Sequence, residues 1–209
     1  MEIIVRDYTK RIKNTYILNK ISLEFMGGNI YGITGQNGSG KTMLLRAISG
    51  LIHPTEGKVF INGKELFKEV DFPMNTGIVI EKPEFLGYLS GLENLTLLSK
   101  VNNKISLLQI KEYLRLFNLN PDSKLHMKSY SLGMKQKIGI IQAIMENPDI
   151  LILDEPFNAL DQESVELLRN ILLKFKNQGK LIIVTSHHKD DIEAICSRVI
   201  HLEDGKIVS

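Results

Sequence analysis

Residues Gly35-Gln36-Asn37-Gly38-Ser39-Gly40-Lys41-Thr42 constrain this chain more than any other stretch. They fit the pattern G-x-x-x-x-G-K-[ST], and that pattern dictates its own surroundings. Glycine at 35, 38 and 40 lets the backbone close around a compact anion, where a larger side chain would block the approach. The N–H groups of such a loop converge as an anion nest. Lys41 adds a full positive charge for β- and γ-phosphates, and Thr42 a hydroxyl for Mg²⁺. Ile30-Tyr31-Gly32-Ile33-Thr34 ahead of the loop reads as a short buried strand. Thr42–Ser49 behind it, with Met43, Leu44, Leu45, Ala47 and Ile48, reads as a helix. A strand entering and a helix leaving put the phosphates at a positive helix N-terminus. A nucleotide site is therefore expected over Thr34 to Thr42.

The bulk numbers permit one large domain, or a core with a small attached subdomain. The chain has 209 residues, 43% hydrophobic and 24% charged, which is ordinary for a globular protein. A net charge of +2 advertises no broad basic surface, so no nucleic-acid partner is expected. The longest uninterrupted apolar runs are Ile150–Leu153 and Leu181–Val184, far too short to span a bilayer. Met1-Glu2-Ile3-Ile4-Val5-Arg6-Asp7 lacks the shape of a signal peptide. Cys196 stands alone beside Ala194 and Ile195, so it reads as a small core residue without an internal disulfide. A cytoplasmic location is expected, with any membrane connection made through a partner.

In chain order, Glu2–Val5, Tyr16–Leu18 and Ile21–Phe25 read as strands, followed by the turn Gly27-Gly28-Asn29. Lys58–Ile61 is another strand, turned by Asn62-Gly63, a strong hairpin signal. Gly77–Ile80 is a buried strand ending at Glu81. From about 85 to 146 the periodicity is helical. Ser90 with Glu93, and Ser106 with Gln109, have capping-box spacing. Asn120-Pro121 is expected to end the second of these helices, and Ser131 opens a third, closed by Asn147-Pro148. The last third alternates again. Ile150–Leu153 and Leu181–Val184 are continuous apolar strands, as in a parallel sheet covered on both faces. Asp161 caps a helix that stops near Gly179, Asp190–Cys196 is a short helix, and Asp204-Gly205 turns a closing hairpin. The expected fold is a single α/β domain, a phosphate-loop core with a mostly parallel sheet (about 1–84 and 147–209). It carries an N-terminal antiparallel β subdomain and a helical insertion over about 85–146.

Ile150-Leu151-Ile152-Leu153 delivers Asp154 and Glu155 at its C-terminal end, where ligands of open α/β sheets bind. Asp154 is expected in the Mg²⁺ shell, as the acidic partner is in phosphate-loop enzymes. Glu155 is expected to orient or deprotonate an attacking water. An acidic loop after a core strand is the plainer alternative, weakened by the phosphate loop elsewhere in the chain.

With these residues in place, the chain resembles the nucleotide-binding subunits of ABC transporters over nearly its whole length. Tyr130-Ser131-Leu132-Gly133-Met134-Lys135-Gln136 is similar to the family signature, usually Leu-Ser-Gly-Gly-Gln. Asn158-Ala159-Leu160-Asp161 matches the loop after the acidic strand. His187, after Val184-Thr185-Ser186, matches the switch histidine better than His188 does. The resemblance implies an ATPase using ATP and Mg²⁺, with a homodimer or a related second subunit sandwiching two nucleotides. Ser131 and Gly133 of one chain would face the γ-phosphate held by Lys41 of the other, and His187 would hydrogen-bond that phosphate. It further implies an integral membrane transporter subunit as partner, with this chain peripheral on the inner face of the membrane. Phe85, Leu86, Tyr88 and Leu89 lie where that partner would dock.

Three departures stand out. Leu132 and Met134 replace the usual glycine and glutamine of the signature. Glu81 stands where a glutamine usually reaches toward the metal, and is counted with Thr42 and Asp154 as a candidate ligand. The aromatic that stacks on adenine has Tyr16 as its nearest candidate, although plain alignment points to Ile12. Glu81 together with Tyr130–Gln136 resembles the branch linked to bacitracin- and lantibiotic-type peptides. The sequence ends directly after the closing hairpin, so the C-terminal extension of many relatives is not expected. Two other classes compete: a non-transport ABC ATPase acting on ribosomes or nucleic acid, and a phosphate-loop kinase. The first usually carries two cassettes or a coiled-coil insertion, and the second leaves Ser131–Gln136 unexplained.

Overall fold

The computed structural model describes residues 1–187 and 189–208. Among the described residues there are two sheets and six α-helices. Strands β1 (Glu2–Ile12), β2 (Thr15–Met26), β4 (Glu56–Ile61) and β5 (Lys64–Glu65) make an antiparallel sheet in the order β2-β1-β4-β5. Strands β3 (Asn29–Thr34), β6 (Thr76–Val79), β7 (Ile150–Leu153), β8 (Leu181–Thr185), β9 (Arg198–Glu203) and β10 (Lys206–Ile207) make the second. Its order is β10-β9-β3-β8-β7-β6, parallel except for β10 on the edge. The helices are α1 (Lys41–Ile48), α2 (Gly91–Asn102), α3 (Leu107–Leu116), α4 (Leu132–Ile144), α5 (Gln162–Asn177) and α6 (Lys189–Ile195). A 3₁₀ turn, Met127–Ser129, leads into α4.

The apolar strands divide their side chains between two cores, because alternate residues of a strand face opposite sides of the sheet. Ile150, Ile152, Leu181 and Ile183 face α1 and the antiparallel sheet. Leu151, Leu153, Ile182 and Val184 face α4, α5 and α6. A run with no polar residue is thus what a sheet buried on both faces requires. The helical stretch continues the second core through Leu95, Ile110, Leu114 and Phe117.

Both capping boxes form: Ser90 accepts from Glu93 N–H, and Ser106 from Gln109 N–H, with each glutamate or glutamine side chain returning to its cap. Both expected two-residue turns form as well, with positive φ at Asn62 and Gly63 and at Asp204 and Gly205. Two expectations are corrected. Tyr16–Leu18 and Ile21–Phe25 are one strand, β2, whose irregular register accommodates a left-handed residue at Lys20. Helix α3 ends at Leu116, before Asn120-Pro121. There Asn118 takes φ 57°, and Leu119 N–H returns 2.8 Å to the Leu114 carbonyl, closing the last turn.

Candidate nucleotide site

Parallel strands end on one side of their sheet, and here β3, β6, β7 and β8 deliver the chemistry-bearing residues to that side. The phosphate loop follows β3, in the middle of the sheet. Gly35, Gly38 and Gly40 all have positive φ. At Gly38 (φ 84°) a Cβ would stand in open space on the wall of the cleft. Lys41 is buried and folds over its own loop, donating to Gly35 O at 2.7 Å and Gln36 O at 3.1 Å. Ser39 Oγ is buried without a hydrogen-bond partner. A loop with a spare hydroxyl, a folded-back ammonium and an open glycine wall fits a triphosphate. Gln36 and Asn37 open onto a larger cleft, of about 820 Å³, that also takes in Thr34, Glu155 and His187.

Asp154 is buried, with both carboxylate oxygens capped by hydroxyls. Thr42 Oγ1 donates to Oδ2 at 2.7 Å and Thr185 Oγ1 to Oδ1 at 2.6 Å. A donated proton leaves the Thr42 oxygen its lone pairs for a hard cation. The set of one hydroxyl and one carboxylate suits Mg²⁺, which keeps waters and phosphate oxygens as its other ligands. Among the described residues no group of three or more His, Cys, Asp or Glu forms a fuller metal cage.

Glu155 sits in the left-handed region (φ 48°), and its N–H donates to Thr185 Oγ1 at 2.8 Å. Such a non-glycine conformation is costly and persists where its surroundings fix it. The carboxylate is thereby turned toward His187: Glu155 Oε2 lies 2.8 Å from Nδ1 and accepts the His187 N–H at 3.3 Å. The two residues expected to handle water and γ-phosphate are therefore in contact. His188 lies outside the described residues.

Helix α4 packs beside the loop that follows Asp154. Gln136 Nε2 donates to Pro156 O at 3.2 Å and Glu155 O at 3.4 Å. Lys137 pairs with Asp161 at 2.6 Å, holding the Asp161 carboxyl far below the usual carboxylate range, with help from Ser164 N–H. A Cβ at Gly133 would lie 2.5 Å from Ala159 O, so only glycine fits there. Ser131 caps α4 by accepting from Met134 N–H at 3.2 Å, and it does not line the phosphate-loop cleft of its own chain.

Glu81, expected beside Thr42 and Asp154, is held by Arg46 at 2.8 Å, although it shares a cleft with Asp154 and Glu155. Tyr16, the candidate to stack on adenine, is exposed, with Arg11 over its ring. Its neighbour Ile17 lies against Gly40. Leu86 and Tyr88 point outward, whereas Phe85 packs on the core and Leu89 is half-buried. Cys196 packs against the core, where burial pushes its thiol up to about 12.

Thr185 and Arg46 are not expected at the site from the sequence, and neither is the hold of Gln136, in the signature stretch, on the Glu155 and Pro156 carbonyls. Arg46 had a usable signal, since it lies four residues after Thr42 and so shares its helix face. Thr185 had a weaker one, a hydroxyl directly after an apolar strand.

With the geometry established, the family model described as ABC transporter matches residues 18–158. An uncharacterised ABC transporter ATP-binding protein, YybJ of Bacillus subtilis (strain 168), is 45% identical, covering 97% of this chain and 93% of its own. The bacitracin transport ATP-binding protein BcrA of Enterococcus faecalis is 35% identical over 100% of this chain and 69% of its own. The lantibiotic transport ATP-binding protein SrtF of Streptococcus pyogenes is 32% identical over 97% and 86%. Among solved structures, the dimeric post-hydrolysis state of the ATP-binding cassette MJ0796 bound to ADP and Pi superposes with a TM-score of 0.84. It shares 25% identity, covering 99% of this chain and 97% of that one.

Proposed function

This chain belongs to the ABC transporter family as an ATP-binding, ATP-hydrolysing subunit, and on that premise we propose that two cassettes close on ATP to drive a separate membrane subunit. The observation carrying the chemical step is the Glu155–His187 contact of 2.8 Å beside the Thr42–Asp154 pair. Lys41 leaves its loop carbonyls for the β- and γ-phosphates, exchanging neutral acceptors for charged ones. Thr42, with Asp154 behind it, would hold Mg²⁺, which when bound would supply neutralisation of phosphate charge. Glu155 orients or deprotonates the attacking water, and His187 passes from Glu155 to the γ-phosphate. The backbone N–H groups of Gly35–Thr42 cradle the remaining oxygens, with Thr34 at the floor and Tyr16 beside the base.

Ser131 and Gly133 serve the nucleotide of the other cassette, at the N-terminus of α4. Two supports for this are the exposure of Ser131 and its absence from the lining of its own phosphate-loop cleft. The helical stretch from about 85 to 146 carries the closure outward, and Leu86 and Tyr88 offer apolar contact to the membrane subunit. Among the described residues no helix is long and apolar enough to cross a membrane, so attachment at the inner face is assigned to that subunit. Likeness to bacitracin and lantibiotic transport proteins supports export of, or resistance to, an antimicrobial peptide. The test is phosphate release beside ATP binding in wild type and Glu155→Gln. The variant should bind Mg·ATP as wild type does and release no phosphate. Undiminished release would remove Glu155 from the chemistry.

A further inference from the structure

The Glu155–His187 pair is made by two loops that reach it from different strands, so something must hold the loops in register. Behind them lies Arg169, on the middle of α5 and only 18% exposed at its side chain. Its Nη2 donates to Asp191 Oδ1 at 2.9 Å, and Asp191 lies in the first turn of α6. The other oxygen of Asp191 accepts from Ser186 Oγ at 3.3 Å. Ser186 is buried and adjoins His187 in sequence. The same guanidinium lies 6.0 Å over the ring of Phe157, two residues after Glu155 and itself buried. One side chain therefore touches the loop carrying Glu155 and, through Asp191, the loop carrying His187.

The charges explain why this arrangement is rigid. Asp191 is 9% exposed, so its carboxylate has lost most of its water and depends on the groups around it. A guanidinium is planar and presents its donors in a fixed fork, so it sets direction as well as charge. Glu166 takes a second nitrogen of Arg169 at 2.7 Å, which fixes the plane of the fork. Apolar packing of Ile192 and Ile195 seats α6, but aliphatic contacts do not fix rotation as hydrogen bonds do.

Resting on the hydrolytic reading above, we propose that Arg169 is a positioning residue. Through Asp191 and Phe157 it holds His187 and Glu155 in register for attack on the γ-phosphate. It lines none of the clefts around the phosphate loop, Glu155 and His187. A small misplacement at the reacting groups is costly even when nothing that binds the substrate has changed.

Arg169→Lys keeps the charge and loses the fork, and Asp191→Asn keeps the shape and loses the charge. Each should lower kcat by roughly tenfold to a hundredfold, with ATP affinity and melting temperature close to wild type. The second readout is a double-mutant cycle with His187→Ala. If Arg169 acts in part through His187, Arg169→Lys should cost clearly less once His187 is gone than it does in the wild type, the remainder being its hold on the Glu155 loop. Multiplying losses in that cycle would overturn the proposal, as would unchanged kcat in both single variants. Unfolding of both variants would overturn it too, because the network would then serve folding alone. Absence of phosphate release from the wild type would instead strike the hydrolytic reading on which this rests.

Discussion

At the residue scale, charge decides how the site responds to substitution. Lys41 is held by two loop carbonyls, so Lys41→Ala removes a cation from the phosphates and also frees the loop. A charge-assisted hydrogen bond is worth about 1.5–3 kcal/mol, so ATP affinity should fall about tenfold or more by calorimetry. Unchanged affinity would contradict the role given to Lys41. Glu81 is more delicate. Its pair with Arg46 is exposed, 57% at the glutamate, and such pairs contribute at most about 1 kcal/mol. The carboxylate can therefore leave Arg46 cheaply for a divalent cation, the largest local charge when present. Without the cation it repels the triphosphate. Glu81→Gln should lower the ratio of ATP affinities measured with Mg²⁺ and with EDTA, leaving hydrolysis within about tenfold of wild type. Equal ratios in the two proteins would remove Glu81 from the site. The phosphate loop was legible because its constraint is local: glycines where φ is positive, lysine and threonine at fixed offsets. Arg46–Glu81 and Arg169–Asp191 were not, since each pair joins distant segments that only the folded sheet and helices bring together.

At the element scale, strands and caps were readable where one chemical feature sets the structure. Ile150–Leu153 and Leu181–Val184 lack polar residues because both faces of their sheet are buried, and Ser90 and Ser106 carry their reciprocal partners three residues on. The β1–β2 hairpin reads from sequence as three short strands, because the left-handed residues that bend it are Asp7 and Lys20, which leave no compositional mark. Helix α4 offers a test of how tightly it is tied to the loop after Asp154. Alanine is favoured over glycine in a helix by about 1 kcal/mol, so propensity alone predicts that Gly133→Ala stabilises the protein. Its Cβ would meet a backbone oxygen at 2.5 Å, and neither the helix nor the loop has a flexible end there to move. Overpacking of this kind costs about 1–3 kcal/mol and should win. The expected result is a lower melting temperature together with slower hydrolysis, since Gln136 holds the Glu155 and Pro156 carbonyls from the same helix. A higher melting temperature with normal hydrolysis would show that α4 moves independently of the loop.

At the scale of the whole molecule, the proposed function divides the site between two chains. The phosphate loop, Asp154, Glu155 and His187 line clefts at one end of the parallel sheet, while Ser131 caps an exposed helix end that does not reach its own phosphate loop. The outward-facing Tyr88, 66% exposed, is the place to look for the membrane subunit. A crosslinker placed at position 88 should yield a product with that subunit in membranes, and absence of any product would count against docking there. In the proposed function ATP is held between two copies, and its hydrolysis at Glu155 releases them. Sedimentation of Glu155→Gln with Mg·ATP tests it most directly, because blocking hydrolysis should trap the closed pair. The expected result is a dimer with ATP and a monomer with ADP. A variant that binds ATP and stays monomeric, while the wild type dimerises, would contradict it.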